Sequence, residues 1–495
     1  MKPSLLVLTL ILLWPAAAAA QSNDLAARSQ AAARAMKESR FDEAARIYQD
    51  LVRAQPNDAG LHMNLGMALA MGGREPDAIE PLERALALQP DLFPARLFLG
   101  SSYLAMGQPE KAIAPLKRVV AARPAAIDHR QLLAQAYSEA GRPIEAVTEL
   151  RTITELAPKL PAGWFALGHA YNAVTQEAIA TFEDRAEDAP WRQLLLADAL
   201  FADGRFTDAF ANYRAALEQL PAMVTIHDSI AGIYAKTGHA DWAAVERQRG
   251  VLPPAACVKR KALCEFRAGR HRAALVATLR QSDPESRYWR ARSATELALA
   301  AFKRLDALPD SRERRETRAI LAREQRRYVD AIAELKAALT FAPGDPDLID
   351  DLGTAYFAAR EYEQALATLK PLLQANPDDP RLLTLHGDAL LQLQRTDEAV
   401  AMLQRAAQHT KDPMPRLSLG RALVQKGDFA AAIPLIEPQL AMDEDGSVHV
   451  QLARAYTGIG QREKAAALLQ RSEELRRAAQ QRSAETAERR ITPPK

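Results

Sequence analysis

The sequence predicts an all-α protein built as a solenoid of stacked helix-turn-helix repeats. The chain is alanine-rich, 48% hydrophobic and only 6% aromatic, which is typical of helices that pack through small residues. No stretch alternates apolar and polar residues as a half-buried strand does. Four residue types recur with a spacing of 34 residues, as in Tyr103, Ala112, Leu116 and Pro124, and then Tyr137, Ala146, Leu150 and Pro158. A fixed period of this length indicates units that bury their apolar faces against their neighbours.

Each repeat contains the turn and boundary residues of a helical hairpin. We number its positions from 1, with units starting at Leu25, Ala59, Phe93 and Ile127. Position 15 predicts the end of the first helix, helix A, because glycine adopts a left-handed conformation without steric cost. The glycines at this position are Gly73, Gly107, Gly141, Gly204, Gly238, Gly269, Gly427 and Gly460.

Prolines bound the second helix, helix B, of each repeat. Pro76, Pro109 and Pro143 lie where helix B begins, a place where the missing N–H costs nothing. A second proline at position 32 ends helix B, because proline cannot continue a helix. The prolines at position 32 are Pro56, Pro90, Pro124, Pro158, Pro221, Pro343 and Pro377.

Two further positions hold small residues, so that helices A and B approach each other closely. Position 8 holds Gly66, Gly100, Ala134, Gly168, Ala197, Gly353, Gly387 and Gly420. Position 20 holds Ala44, Ala78, Ala112, Ala146, Ala209, Ala331, Ala365, Ala399, Ala432 and Ala465.

These positions resemble the tetratricopeptide pattern W-x2-L-G-x2-Y…A-x3-F…P. Trp164, Leu167, Gly168 and Tyr171 match its first part, and the resemblance covers roughly residues 25–476. It implies a right-handed superhelical solenoid whose helix A residues at positions 2, 5, 9, 12 and 13 line a groove for protein partners. The resemblance specifies the fold and leaves the partner undefined.

Two stretches depart from the hairpin pattern. After Tyr171 no glycine or proline interrupts the chain until Pro190, which predicts one long helix, and residues 287–308 behave in the same way. Trp164 and Trp289 mark these helices 125 residues apart, which suggests duplication of a block of repeats. We therefore divide the chain into a signal peptide (1–20), an N-terminal array (21–188), a middle irregular array (189–310), a C-terminal array (311–476) and a polar cap and tail (477–495).

The first twenty residues have the organisation of a secretory signal peptide. Lys2 precedes an apolar run from Leu5 to Trp14, and Ala16–Ala20 supply an A-x-A cleavage site before Gln21. The expected location is therefore the periplasm or the exterior of a bacterium. The alternative is that the segment is kept as an anchor. No later segment reaches the length of a membrane span, so no span is expected once the signal is removed.

The sequence predicts no catalytic, cofactor-binding or metal site. It has 64 basic and 62 acidic residues, so no global positive field would attract nucleic acid. It contains no phosphate-binding glycine loop, no nucleophile elbow and no zinc-protease motif. His62, His227 and His449 occupy position 4, where the family has Trp, and are expected to pack as aromatic substitutes.

Cys257 and Cys264 are expected to form a disulfide, because an exported chain with an even cysteine count favours pairing. Seven residues of helix span about 10.5 Å, whereas a disulfide requires Cα atoms within about 7 Å. The bond therefore needs Cys257 to lie in a loop after Pro253 and Pro254, with the helix starting near Lys259. Two buried free thiols are the alternative.

The second repeat offers the clearest candidate for a binding surface. Met63, Met67 and Met71 form a stripe on helix A, and Leu97 and Leu104 extend it in the next repeat. Methionine is flexible and polarisable, and so suits adaptable apolar contacts. The alternative is that the stripe is packed internally, for example under residues 21–34. Copper handling by these methionines is a further alternative.

A second candidate surface lies where the first long helix ends. Its residues are Phe165, His169, Asn172, Trp191, Leu194, Asp198 and Phe201. Exposed aromatic residues often anchor interfaces, although these could equally brace the irregular junction.

The function predicted from the sequence is a non-catalytic scaffold in the cell envelope that binds a protein segment in its groove. The alternative is a repeat subunit of a glycan- or protein-secretion system whose catalytic or pore subunit is a separate chain. A polysaccharide-binding protein would need aromatic platforms along the groove, which 6% aromatic residues scarcely provide.

Overall fold

The computed structural model describes residues 24–183, 185–252, 255–488 and 490–494, with the side chains of 482–488 left out. The predicted signal peptide, the cleavage site before Gln21 and the pair Pro253 and Pro254 lie outside the described residues. Within the described ranges, all regular secondary structure is helical and no strand occurs. No helix in this part of the chain is both long and apolar enough to cross a membrane. The predicted all-α class is confirmed.

The chain divides into two compact units, and the first contains residues 1–176 and 294–301. Its repeats pair one helix A with one helix B, and its last helix continues a few residues beyond the unit. The helices are α1 (24–37), α2 (Phe41–Ala54), α3 (Ala59–Met71), α4 (Glu75–Leu88), α5 (Phe93–Ala105), α6 (Pro109–Ala122), α7 (Ile127–Glu139), α8 (Pro143–Leu156) and α9 (Pro161–Ala180).

The second unit contains residues 177–293 and 302–495. Its helices are α10 (Ala189–Ala202), α11 (Phe206–Gln219), α12 (Thr225–Lys236), α13 (Ala240–Arg249), α14 (Ala256–Lys259), α15 (Lys261–Arg267), α16 (His271–Thr278), α17 (Pro284–Asp306, of which 294–301 belong to the first unit), α18 (Arg312–Glu324), α19 (Tyr328–Phe341), α20 (Pro346–Ala358), α21 (Tyr362–Ala375), α22 (Pro380–Gln392), α23 (Thr396–Gln408), α24 (Pro413–Lys426), α25 (Phe429–Ile436), a 3-10 turn (Glu437–Met442), α26 (Ser447–Gly458) and α27 (Arg462–Glu488).

The turn at position 15 is left-handed in every repeat where glycine predicted it. The φ angles of these eight glycines lie between 64° at Gly107 and 95° at Gly427. Four other repeats keep the same conformation without glycine, and Ser39, Arg326, Arg360 and Gln394 have φ angles of 57° to 64° there. The backbone of the repeat therefore imposes this turn even on side chains that disfavour it.

The helix boundaries follow the prolines. Helices α6 and α8 begin at Pro109 and Pro143, and α4 has Pro76 as its second residue. Helix α2 ends at Ala54, two residues before Pro56, and the other helices that precede a position-32 proline end at the same distance. Both boundary predictions are confirmed.

The small residues at positions 8 and 20 allow helix A to touch helix B. A Cβ atom built on Gly66 would lie 2.4 Å from Cγ of Leu82, and one built on Gly387 would lie 2.5 Å from Cγ of Leu403. The alanines at position 20 are buried in every repeat named above. Within such a repeat, the core therefore contains one bulky side chain of helix B packed over the glycine of helix A.

The two predicted long helices are present. Helix α9 has 20 residues and α17 has 23, so neither stretch turns at the place where a regular repeat would. The hydroxyls of Thr175 in α9 and Thr295 in α17 lie 3.3 Å apart within the first unit.

Candidate partner-binding surfaces

Helix α3 carries the methionine stripe and has no charged side chain between Ala59 and Met71. Its core face is formed by buried residues such as Leu61 and Leu65, so the methionines lie on a different face. Met63 and Met67 are half-buried, and Met71 is 46% exposed. Helices that are apolar all round are normally covered, so this accessible strip is unusual for an uncharged helix.

The next repeat contributes to the same set. Leu97 in α5 is half-buried, as a member of the stripe can be. The prediction for Leu104 is wrong, because its side chain is buried in the core and does not extend the stripe. We call Met63, Met67, Met71 and Leu97 the Met surface. A cleft of roughly 900 Å³ in these repeats is lined by α2, α4 and the opposite side of α3, including Leu65 and Leu69, and no member of the Met surface lines it.

The predicted junction residues fall into the two units. In the first unit, the rings of Phe165 and His169 lie 4.3 Å apart in an edge-to-face arrangement on α9. In the second unit, Trp191 is only 8% exposed and packs 5.7 Å from the ring of Tyr288. The ring of Trp191 therefore belongs to the core and is not available to a partner in this conformation.

Asp198, another of the junction residues, is the centre of a buried polar network. Its carboxylate accepts hydrogen bonds from the hydroxyls of Tyr213 at 2.6 Å and Tyr288 at 2.9 Å. It also pairs with the guanidinium of Arg292 at 2.5 Å, with 8% of its own side chain exposed. Burial and, after it, the charge of Asp198 raise the pKa of both tyrosines, so the hydroxyls remain protonated donors. The network joins α10, α11 and α17, and it holds the middle array together.

The histidines at position 4 make polar contacts in addition to packing as aromatic rings. The Nε2 atom of His62 lies 2.9 Å from the carbonyl oxygen of Pro56, as the Nε1 atom of Trp164 lies 2.8 Å from that of Pro158. In both cases the carbonyl is six residues earlier. In these two repeats the side chain at position 4 thus hydrogen-bonds to the turn that follows the preceding helix B, and His62 makes there the same contact as Trp164.

His227 and His449 differ from the expectation of aromatic packing, because each is paired with a buried carboxylate. His227 Nδ1 lies 2.5 Å from Glu246, which also accepts from Arg249 at 3.0 Å. His449 Nδ1 lies 2.6 Å from Asp443. A buried carboxylate needs such partners, and no periodic pattern of residues predicts them. Among the described residues, no three His, Cys, Asp or Glu side chains are grouped to hold a metal ion.

Cys257 and Cys264 form a disulfide with Cα atoms 5.6 Å apart. Cys257 was expected in a loop, but it lies in the single helical turn of α14. The helical conformation is interrupted at Arg260, before α15 begins at Lys261. This break shortens the distance that a continuous helix would impose, so the geometric condition for the bond is met by a kink rather than by a loop.

Comparison with known proteins identifies the repeat. Models of the tetratricopeptide repeat match residues 29–93, 103–167, 322–389 and 380–405. No curated protein matches the chain.

Solved structures similar to part of the chain include two forms of MamA. MamA 41-end from Desulfovibrio magneticus RS-1 is 25% identical, with 30% of this chain and 82% of that chain covered and a TM-score of 0.28. MamA MSR-1 C2 is 25% identical, with 34% of this chain and 98% of that chain covered and a TM-score of 0.30. These TM-scores are too low to support any argument about function. The repeat models, the helix pairs and the residues at positions 8, 15, 20 and 32 together identify the chain as a tetratricopeptide-repeat protein.

Proposed function

We propose that this tetratricopeptide-repeat chain is exported and acts in the cell envelope as a non-catalytic scaffold that binds an apolar protein segment at the Met surface. The observation that carries the proposal is the accessible strip on α3, an uncharged helix whose methionines do not form its core face. Flexible thioether side chains adapt to the surface of an apolar partner at little cost. A partner helix or extended segment would remove this strip from water.

Two features favour an oxidising compartment outside the cytosol. The chain begins with the charged, apolar and A-x-A segments of a signal peptide. Its two cysteines are paired with each other, and disulfides persist in oxidising compartments. On this proposal the mature protein recovered from the native host begins at Gln21 or within two residues of it. Intact Met1 in the soluble fraction would contradict cleavage.

The binding proposal is tested by changing Met63, Met67 and Met71 together to Gln, which keeps the size of the side chains and removes their apolar character. We expect the variant to lose about 1–3 kcal/mol of partner affinity, as loss of an apolar anchor set does. The partner is identified by crosslinking in the native host followed by mass spectrometry. Capture is then measured as the fraction of the protein that is crosslinked to this partner.

Met442→Gln is the matched control, since Met442 is 56% exposed on a different part of the chain. It should leave capture unchanged. The melting temperature of the triple variant should stay close to that of the parent, because the three side chains do not form the core face of α3. A much earlier melt would mean that the stripe is packing, and unchanged capture would place the binding site elsewhere.

A further inference from the structure

The C-terminal segment of the chain folds back onto the middle array. Ile491 packs against the apolar cluster that contains Tyr234, within the second unit. The Tyr234 hydroxyl donates a hydrogen bond of 2.6 Å to the carbonyl oxygen of Thr492, which is 258 residues further along the chain. The segment thus makes one apolar and one polar contact with a repeat that is remote from it in sequence.

Tyr234 occupies position 11 of its repeat, and its hydroxyl lacks the carboxylate acceptor that two other tyrosines at this position, Tyr103 and Tyr456, have. Tyr103 donates to Glu83 at 2.7 Å, and Tyr456 donates to Glu437 at 3.1 Å, carboxylates 20 and 19 residues earlier. The residue 20 positions before Tyr234 is Arg214, which has no acceptor atom on its side chain. The tail carbonyl therefore supplies the acceptor that this repeat does not.

The Tyr234 side chain, which the tail contacts, is also more fully buried than these two tyrosines. Tyr234 is 0% exposed, whereas Tyr103 is 8% and Tyr456 is 6% exposed. A buried hydroxyl without an acceptor would cost free energy, so Tyr234 and the tail satisfy each other.

Aromatic rings surround this contact. The ring of Tyr234 lies 5.6 Å from that of Phe210 and 5.4 Å from that of Trp242. His239 stacks on Trp242 with ring centroids 4.1 Å apart, and both of these residues are only partly buried. We call Phe210, Tyr234, His239 and Trp242 the Tyr234 site. A cluster that combines buried rings, partly buried rings at its edge and a hydroxyl donor is suited to binding peptides.

The chemistry of the tail suits an extended ligand. Thr492 precedes Pro493, which precedes Pro494, and a residue before proline is held in the extended region. Proline also fixes its own φ angle, so little conformational freedom is lost when the segment binds. The recognised features are an apolar side chain followed by a carbonyl acceptor on a stiff, extended backbone.

Helix α27 precedes this segment in the chain. It runs for 27 residues from Arg462 to Glu488, which corresponds to about 40 Å. Ser472, in the first half of the helix, is 1% exposed and lies against Gly446, so the helix is anchored on the last repeat. A tethered ligand is present at an effective concentration of about millimolar, enough to exclude a free competitor of modest affinity.

We propose that the Tyr234 site is a binding site for extended segments with an apolar residue before Thr-Pro-Pro, and that residues 491–494 of the same chain are its resident ligand. The tail keeps the site closed to other segments of this chemistry. This surface is distinct from the Met surface, and the two are tested independently.

The experiment uses a fluorescein-labelled peptide with the sequence of residues 490–495 and measures its anisotropy. One protein is the full chain and the other is the chain without residues 490–495. We expect the peptide to bind the shortened chain at least tenfold more tightly, since the tail no longer competes. A peptide with Asp in place of Ile491 is the control and should not bind.

Tyr234→Phe in the shortened chain removes one hydroxyl and keeps the ring. We expect it to weaken peptide binding about three- to tenfold, the usual effect of losing one such hydrogen bond. Its helical circular dichroism should be that of the parent.

Three outcomes would overturn the proposal. Equal binding to the full and shortened chains would mean that the tail does not occupy the site, and no binding to a folded shortened chain would mean that the site is not a peptide site. If the deletion itself unfolds the middle array, the full-length variant Ile491→Asp takes its place. Failure of that variant to bind the peptide would also overturn the proposal.

Discussion

The regular repeats of residues 41–156 and the middle array of residues 189–310 are held together by different means. In the regular repeats, a glycine at position 8 lies under a bulky residue of helix B, as Gly100 lies under Leu116. In the middle array, the carboxylate of Asp198 and a disulfide join helices that the repeat pattern does not place. The first region is held together by the same packing contact in successive repeats, and the second by individual contacts that do not recur.

This difference shows how helices are held in place where the 34-residue repeat is interrupted. A periodic sequence specifies close helix packing with small residues alone, because every repeat reproduces the same approach. Where the long helix α17 replaces a hairpin, that approach is lost, and buried polar groups take fixed partners instead. Such groups are costly to bury and strongly destabilising to break, so they specify one arrangement. Substitutions in the two regions should therefore differ in size and in sign.

The largest effect is expected for Asp198→Ala. This change leaves Arg292 without its buried carboxylate and removes the acceptor of two tyrosine hydroxyls. We expect the free energy of unfolding of the middle array to fall by about 3–5 kcal/mol. It is measured by urea titration with tryptophan fluorescence.

The control for that change is Asp77→Ala in the regular repeats. Asp77 pairs with Arg74 at 2.6 Å, but both side chains are about half exposed. A surface pair of this kind contributes at most about 1 kcal/mol. Equal effects at Asp77 and Asp198 would contradict the contrast between the two regions.

A second, smaller loss is expected when both Cys257 and Cys264 are changed to Ser. A disulfide lowers the conformational entropy of the unfolded chain. For a loop this short, that stabilises the folded state by about 2–3 kcal/mol, which the double variant should lose. The oxidised parent should also resist thiol alkylation until it is reduced. Two readily alkylated thiols in the oxidised protein would show that the bond is absent in solution.

Glycine-to-alanine changes should have opposite signs in the two regions. A Cβ on Gly100 would lie 2.6 Å from Cγ of the buried Leu116, so Gly100→Ala should cost about 1–3 kcal/mol. A Cβ on Gly232 in the middle array would meet Phe201 at an ordinary 3.4 Å. Gly232→Ala should stabilise by about 0.5–1 kcal/mol, since alanine is the better helix former. The melting temperatures of both variants test this prediction. A change of the same sign in both variants would contradict the contrast between the two regions.

An effect as small as that of Gly232→Ala is expected at a turn of the regular C-terminal repeats. Arg360 holds a left-handed φ of 64° and is exposed. Arg360→Gly should stabilise by about 0.5–1 kcal/mol, because relief of strain exceeds the added freedom of the unfolded chain. Gly73→Ala is the reverse change, at a φ of 73° with no atom within 4 Å, and should destabilise by about 1 kcal/mol. Denaturant midpoints measure both changes.

The sequence predicted those features that repeat or that depend on local geometry. The turn at Gly107, the start of α6 at Pro109 and the long helix α17 all follow from residue spacing. The contact between Tyr234 and Thr492 could not be predicted, because no period relates residues 258 apart. The network around Asp198 was also missed, since it joins three helices whose arrangement is known only once the chain is folded.

Methionine oxidation tests most directly whether the Met surface is open in the free protein and covered by a partner. Hydrogen peroxide converts exposed methionines to sulfoxides at rates that mass spectrometry follows. Met442, 56% exposed, and Met223, 1% exposed, are the internal standards. In the purified protein we predict that Met71 oxidises nearly as fast as Met442. In the native envelope fraction, Met63, Met67 and Met71 should be protected while Met442 is unchanged. Oxidation of the three at the rate of Met223 in the purified protein, or at equal rates in both samples, would contradict the account.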